Sequence, residues 1–451
     1  MKQKTRILAP ALALLTTTAL LAAQAERSPV PAAADAVLAG VHEPGIAELI
    51  RETLERNPEV AGGRARARAA RALAPQVRSL PDPTAHLTAF VQEPETRVGA
   101  QRFSVTLAQR FPGWGKLALR ERAALLGAAA LEADVEASRL ALVTEVRTLR
   151  HELAFLDRYR DVNRTFRGHL VQHEEISRAR YATGVGQGQA VVKLQAEITR
   201  VDSELLAIEA RRAKLLARLN SLRDRPVGLE LPSRIPPPRT LASARHADFD
   251  LERLTYRAHL ARPEIAAADL RVVRAQTLIE LAGVAARPDF HVGLVYTALD
   301  PRDDVAAVLR PPEGDGDDVF GLQGGLSIPV RRGRLDGEAE QAEAGMVAAQ
   351  ERRRRVRTEI DGEIGDLAQR LVLAWRQLRL VGDLLVVQAE ESLQSAEAGY
   401  IAGTLTALDL LDAEHVLFEA QTAAARATTD YLIGLAELEG AVGEPVVQPE
   451  T

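Results

Sequence analysis

Two stretches free of proline, residues 116 to 183 and 336 to 399, decide most of what this chain can fold into. In the first, Leu119, Ala123, Leu126, Ala130, Ala133, Ala137 and Leu140 recur at steps of four and three. In the second, Ile360, Ile364, Leu367, Leu371, Ala374, Leu378, Val381 and Leu385 do the same. That spacing is a coiled-coil seam. At 1.5 Å per residue the first stretch predicts a helix roughly 100 Å long, where an ordinary helix has about 11 to 12 residues. A helix of that length crosses a compartment, not a domain. Glycine follows each stretch (Gly184 to Gly188; Gly403), and then a returning seam, clearest at Val191, Leu194, Ile198, Val201, Leu205, Ile208, Leu215, Leu219 and Leu222. The expectation is two antiparallel helical hairpins.

The hairpins belong to a duplication. Asn57-Pro58-Glu59-Val60 has a counterpart in Arg262-Pro263-Glu264-Ile265. Then, in order, Pro81-Asp82 matches Pro288-Asp289, and Phe111-Pro112 with Gly115 matches Ile328-Pro329 with Gly333. Tyr181 and Gly184 match Tyr400 and Gly403, and Leu194-Gln195-Ala196-Glu197 matches Leu411-Asp412-Ala413-Glu414. The offset stays between 205 and 219 residues, too long for a solenoid repeat. The expected division is a first repeat over 26–225, a linker over 226–250, a second repeat over 251–443 and a tail over 444–451. Pro226, Pro232 and Pro236-Pro237-Pro238 mark the linker, since no helix interior tolerates them.

Each repeat also holds two segments of period two. Phe103, Val105 and Leu107 interleave with Ser104, Thr106 and Ala108; Phe290, Val292, Leu294 and Tyr296 interleave with His291, Gly293 and Thr297; Phe320, Leu322, Leu326 and Ile328 interleave with Gly321, Gln323 and Ser327. These predict strands over about 101–110, 289–298 and 319–328. A weaker fourth covers 84–92, with Leu87 and Val91 on one face and His86 and Thr88 on the other. Aromatics are concentrated in these segments, as suits membrane strands ringed at the interfaces. Four strands cannot close a barrel, because spanning barrels begin at about eight strands and an open edge in lipid leaves backbone groups unsatisfied. The chain is therefore expected to oligomerise. The fold class is mainly α with a small β part.

Composition narrows the function. Residues 1–25 carry Lys2, Lys4 and Arg6, then an apolar run from Ile7 to Ala23 and Ala23-Gln24-Ala25, the pattern of a cleaved signal peptide. No cysteine is present, which excludes disulfides, thiolate metal sites and a lipid-modified cysteine at the new N-terminus. A net charge of -5 gives no footprint for nucleic acid. No HExxH, no G-x-S-x-G and no catalytic grouping occurs, so neither an enzyme nor a cofactor is expected. Gly113-Trp114-Gly115-Lys116 lacks the spacing of a phosphate loop and reads as a strand-to-helix turn.

From Glu43 to Gly443 the sequence resembles the TolC family of outer-membrane efflux proteins. The residues that carry the resemblance are Ala47-Glu48-Leu49 leading to Asn57-Pro58-Glu59, Phe111-Pro112 with Gly115-Lys116, and Arg180-Tyr181-Ala182-Thr183-Gly184. Most telling is Ala398-Gly399-Tyr400-Ile401-Ala402-Gly403-Thr404 followed by Leu408-Asp409-Leu410-Leu411-Asp412-Ala413. The resemblance implies a homotrimer whose strands form one outer-membrane β-barrel and whose helices form a tunnel in the periplasm. It also implies docking to a periplasmic adaptor and an inner-membrane pump. The helix tips at Gly184 and Gly403 would meet the adaptor, and Asp409, Asp412 and Tyr400 match the family's periplasmic gate. Leu405 stands where an arginine often latches the closed state, so a different latch is expected. The exit duct of a type I secretion system shares this architecture, and a periplasmic coiled-coil adaptor is the rival outside the family.

Simpler readings compete at each candidate. Thr406 and Asp409 have the spacing of a helix capping box. His169 and His173, four apart, could present two imidazoles to a metal, but no third ligand follows at a convincing spacing, so they read as a solvated helix face and no metal site is expected. Arg352 to Arg355 are flanked by Glu351 and Glu359 and read the same way.

Overall fold

The computed structural model describes residues 32–41, 43–184, 187–231 and 249–446; the expected leader and the Pro236-Pro237-Pro238 run lie outside them. In chain order the elements are α1 Ala33–Ala39, α2 Pro44–Arg56, α3 Pro58–Arg78, β1 Thr84–Ala89, β2 Glu95–Thr96, β3 Gly99–Phe111, α4 Lys116–Ala182 and α5 Gly188–Leu222. There follow α6 Leu251–Ala261, α7 Pro263–Gly283, β4 Asp289–Asp300, α8 Val305–Leu309, β5 Val319–Ser327, α9 Arg332–Arg379, a π-helical turn Leu380–Leu385, α10 Val386–Ile401 and α11 Ala407–Val442.

Each repeat builds a core of the same kind. Val37, Ile50, Leu54 and Val60 from the leading helices pack on Leu140, Val143, Val146 and Leu153 of α4 and on Leu219 and Leu222 of α5. In the second repeat Leu254, Ala258 and Ile265 pack on Ile360, Ile364, Leu367 and Leu371 of α9 and on Tyr431, Leu438 and Val442 of α11. Pro58 and Pro263 open α3 and α7, where the missing N–H costs nothing. The residue before each proline ties the break to the end of the return helix: Asn57 Nδ2 donates to the Leu222 carbonyl at 3.0 Å, and Arg262 Nη1 to that of Gly440 at 2.9 Å. The shared sequence landmark is thus a shared joint.

The second long helix departs from expectation. It starts at Arg332, and its α-helical ladder gives way at the π-helical turn. Val381 is buried, but the next seam residue, Leu385, is 41% exposed, and burial resumes at Ala389, Leu393, Ala396 and Tyr400. One extra residue in the turn rotates the apolar stripe out of register with the strict 4–3 pattern.

The strands form one antiparallel sheet in the order β1-β3-β4-β5, with β2 attached to β3, so the repeats join where β3 pairs with β4. Alternation separates two faces. Leu87 lies opposite Val105, Leu107 opposite Leu294, and Tyr296 opposite Phe320, with Phe103 and Phe320 flanking the Tyr296 ring at 6.0 and 5.2 Å. Phe320 and Leu322 are 80% and 79% exposed. The other face carries Ser104, Thr106, Arg110, His291 and Gln323. The weakest strand is shorter than expected: β1 stops at Ala89, leaving Val91 fully exposed, and the short β2 and α8 lie between the expected strands. At the turn into α4, Asp289 accepts from the Gly113 N–H and Lys116 Nζ, both at 2.9 Å, while Gly115 takes a φ of +86°.

Compactness divides the chain differently from its repeats. One unit comprises Ala65–Leu131 and Ala267–Arg354 and contains the sheet. The other comprises the described residues within Val30–Arg64, Glu132–Ala266 and Arg355–Thr451 and contains the turns at Gly184 and Gly403. Among the described residues no helix is long and apolar enough to cross a membrane.

Candidate functional site

The turn that ends α10 is built from its own backbone. Gly403 adopts φ +76°, and the N–H groups of Gly403 and Thr404 donate to the carbonyls of Tyr400 and Gly399 at 3.2 and 2.9 Å. This is a Schellman motif, which needs a residue free to turn left-handed. Thr406 then caps α11. Its Oγ1 accepts from the Asp409 N–H at 3.3 Å, and Asp409 Oδ2 accepts from the Thr406 N–H at 2.7 Å. The first hairpin ends alike, with Gly184 at φ +78° donating to the Tyr181 carbonyl at 3.0 Å.

These contacts set the candidate residues apart. Asp409 is engaged in the capping box, whose Thr406 hydroxyl and backbone N–H hold its carboxyl below the ordinary value. Asp412 shares its helix and is exposed. Tyr400 is 6% exposed, its hydroxyl lacks a hydrogen-bond partner, and the Arg180 guanidinium lies 4.3 Å from its ring centroid. That contact joins the end of one hairpin to the end of the other. Leu405 packs against Gly399, where an added Cβ would stand 2.7 Å from Leu405 Cδ1.

The histidine pair is only partly a solvated face: His169 is exposed, His173 is half-buried, and both meet one carboxylate. His169 Nδ1 lies 3.1 Å from Glu414 of α11, and His173 Nε2 lies 3.2 Å from the same carboxylate. Glu414 is 3% exposed. Burial alone would raise its pKa, but hydrogen bonds from His173 and His169 hold it below the ordinary value. Beneath them Phe166 and Leu170 of α4, Leu194 and Val201 of α5 and Leu411 and Phe418 of α11 pack together. Glu174 of α4, also buried, accepts from Gln195 of α5 at 2.7 Å. The acid missing from the sequence reading stood in the repeated Leu-x-Ala-Glu motif, an acidic residue inside a helical seam. Among the described residues no group of three or more acidic or histidine side chains is arranged to hold a metal.

The site therefore offers hydrogen bonds and charge at the helical turns, and a buried clamp across the two hairpins. A family model described as "Outer membrane efflux protein" matches residues 254–444. Over the second repeat the chain is similar to outer-membrane efflux proteins. Among its relatives, the pyoverdine export outer membrane protein OpmQ of Pseudomonas putida is 30% identical over 185 residues, covering 40% of this chain and 37% of OpmQ. TolC of Escherichia coli is 43% identical over 58 residues, 13% of this chain and 12% of TolC. The chain thus spans well under half the length of these named relatives. The crystal structure of the outer membrane protein VceC of Vibrio cholerae superimposes with a TM-score of 0.70 at 22% identity, covering 88% of this chain and 96% of VceC. The chain has the fold of that channel: long coiled-coil hairpins joined to four principal β-strands.

Proposed function

We propose that this protein is the outer-membrane exit duct of a tripartite efflux system, a homotrimer with its helices in the periplasm. It conducts substrates handed on by a periplasmic adaptor and an inner-membrane pump. The observation that carries the reading is the sheet. It has one apolar, exposed face and a free edge on each side among the described residues, and it is continuous in sequence with hairpins far longer than any globular core requires. Its strands alternate in direction, so β1 and β5 are antiparallel. The β5 edge of one copy can therefore pair with β1 of the next in the same pattern, and closure removes every edge from lipid. Adaptor docking at the Gly184 and Gly403 turns accounts for two ends that bury little and are braced by their own hydrogen bonds.

The gate lies at the second hairpin. Asp412 supplies the charge there and Tyr400 the packing, held by Arg180 in place of the arginine that Leu405 replaces. Asp409 serves mainly to cap α11. Membrane fractionation with reconstitution in planar bilayers tests the duct: the protein should partition with outer membranes and form channels. Recovery in the soluble periplasm would instead favour an adaptor-like coiled coil.

A further inference from the structure

Where the strands meet the helices, a groove of about 1070 Å³ lies wholly within the unit that contains the sheet. Seven arginines and lysines line it against one aspartate and one glutamate, an excess of five positive charges per chain. Both carboxylates are engaged. Asp289 takes Arg110 at 2.7 Å and Lys116 at 2.9 Å, and Glu338 pairs with Arg334. Arg120, Arg274 and Arg352 come from three different helices and have no carboxylate partner among the described residues. Arg274 runs along Gly127, where an added Cβ would stand 3.4 Å from its Nε, so the bare backbone seats the side chain. Between the charges the lining is small and apolar, with Ala275, Leu278, Ala282 and Ala349.

The sheet shows which way the groove faces. Arg110, Asp289 and Ser327 lie on the face that carries Ser104, Thr106 and Gln323, opposite the face of Leu107, Leu294 and Phe320. In a barrel whose apolar face meets lipid, the polar face lines the lumen. The groove then opens into the duct immediately beyond the strands, and assembly repeats its charge around the axis. A guanidinium presents a planar fork that fits carboxylate and phosphate oxygens in pairs, and a cleft of one sign concentrates counter-ions.

We propose that this basic groove makes the duct anion-selective and receives organic anions, carboxylates or phosphates on an apolar body, as they leave. The inference rests on the channel reading and is tested separately from it. In planar bilayers under a KCl gradient, the reversal potential should show chloride preferred over potassium. Replacing Arg120→Glu, Arg274→Glu and Arg352→Glu together should lower the chloride-to-potassium permeability ratio by about an order of magnitude, the scale on which charged clefts enrich counter-ions. 1-Naphthoate and 1-naphthyl phosphate should both reduce the chloride current of the parent channel, and whichever blocks better identifies the preferred head group. A chain without cysteine allows a second route should the triple variant not assemble. Arg274→Cys in an assembled channel, modified by an anionic and then separately by a cationic thiosulfonate, should lose and regain chloride preference. Channels that conduct but prefer potassium, or whose selectivity ignores these charges, overturn the proposal; failure of both naphthyl probes to block overturns the cargo class. Absence of any channel would count against the duct itself.

Discussion

Gly403 and Gly168 stand in opposite circumstances, although an added Cβ would meet nothing within 4 Å at either position. At Gly403 the backbone is left-handed at φ +76°, so Gly403→Ala should destabilise by about 1 kcal/mol through strain alone. Gly168 lies inside α4, where Gly168→Ala should stabilise by about 0.5 to 1 kcal/mol. Heat dissociation of the purified oligomer would read both. The acidic pair separates in the same way. Asp409→Ala removes half of a capping box and should cost about 1 kcal/mol. Asp412→Ala should leave stability unchanged but alter divalent-cation block of the channel; unchanged single-channel traces would remove Asp412 from the gate. A pH effect comes from His151, which is 8% exposed. Burial first, then Arg147 and Arg150, lowers its pKa to about 4. An unfolded imidazole takes up its proton near 6.5, where the folded one cannot, so between those values the unfolded state binds more protons and stability drops as the pH is lowered. The loss should reach about 2 kcal/mol between pH 7 and pH 5, and His151→Gln should flatten it.

At the scale of elements, the seams show how far local pattern reaches. Ile360, Ile364, Leu367, Leu371 and Val381 are buried where their spacing puts them. Leu385 is not, because a one-residue π insertion changes register without changing any residue's helical preference. The strand with the strictest alternation, β4, extends a little beyond its expected span, and the weakest, β1, is cut short. Contacts across hairpins were not legible. Glu414 is more than 240 residues from His169, and Arg180 and Tyr400 meet only because two turns come together. Leu322, 79% exposed on the apolar face, offers a test of that face. Leu322→Arg should destabilise the inserted barrel by about 2 to 4 kcal/mol if it faces the bilayer midplane, measured by denaturant titration in lipid vesicles.

For the whole molecule, the number of strands is the constraint that reaches beyond one chain. Both outer strands, β1 and β5, are paired on one side only among the described residues, and their directions suit pairing between copies. With no native cysteine, Leu87→Cys in β1 combined with single cysteines stepped along β5 should yield disulfide-linked trimers at one register and monomers elsewhere. Monomers at every register would argue against closure by these edges. The expectation of partner chains was legible in the sequence, because it rests on strand number and backbone hydrogen bonding. It did not show the basic groove, because Arg120, Arg274 and Arg352 are far apart in sequence and converge only in the fold.

The π-helical turn also sets the two copies apart. Gly333 follows Gly115 by 218 residues, whereas Tyr400 follows Tyr181 by 219, so the second long helix holds one residue more than the first between matching landmarks. α4 is regular over the corresponding span, and the surplus in the second copy is taken up at Leu380–Leu385. Had it been absorbed as ordinary helix, everything beyond would have turned by about 100°, swinging Tyr400 away from its neighbours. The bulge takes up the one-residue difference between the copies, and Tyr400 beyond it stays buried.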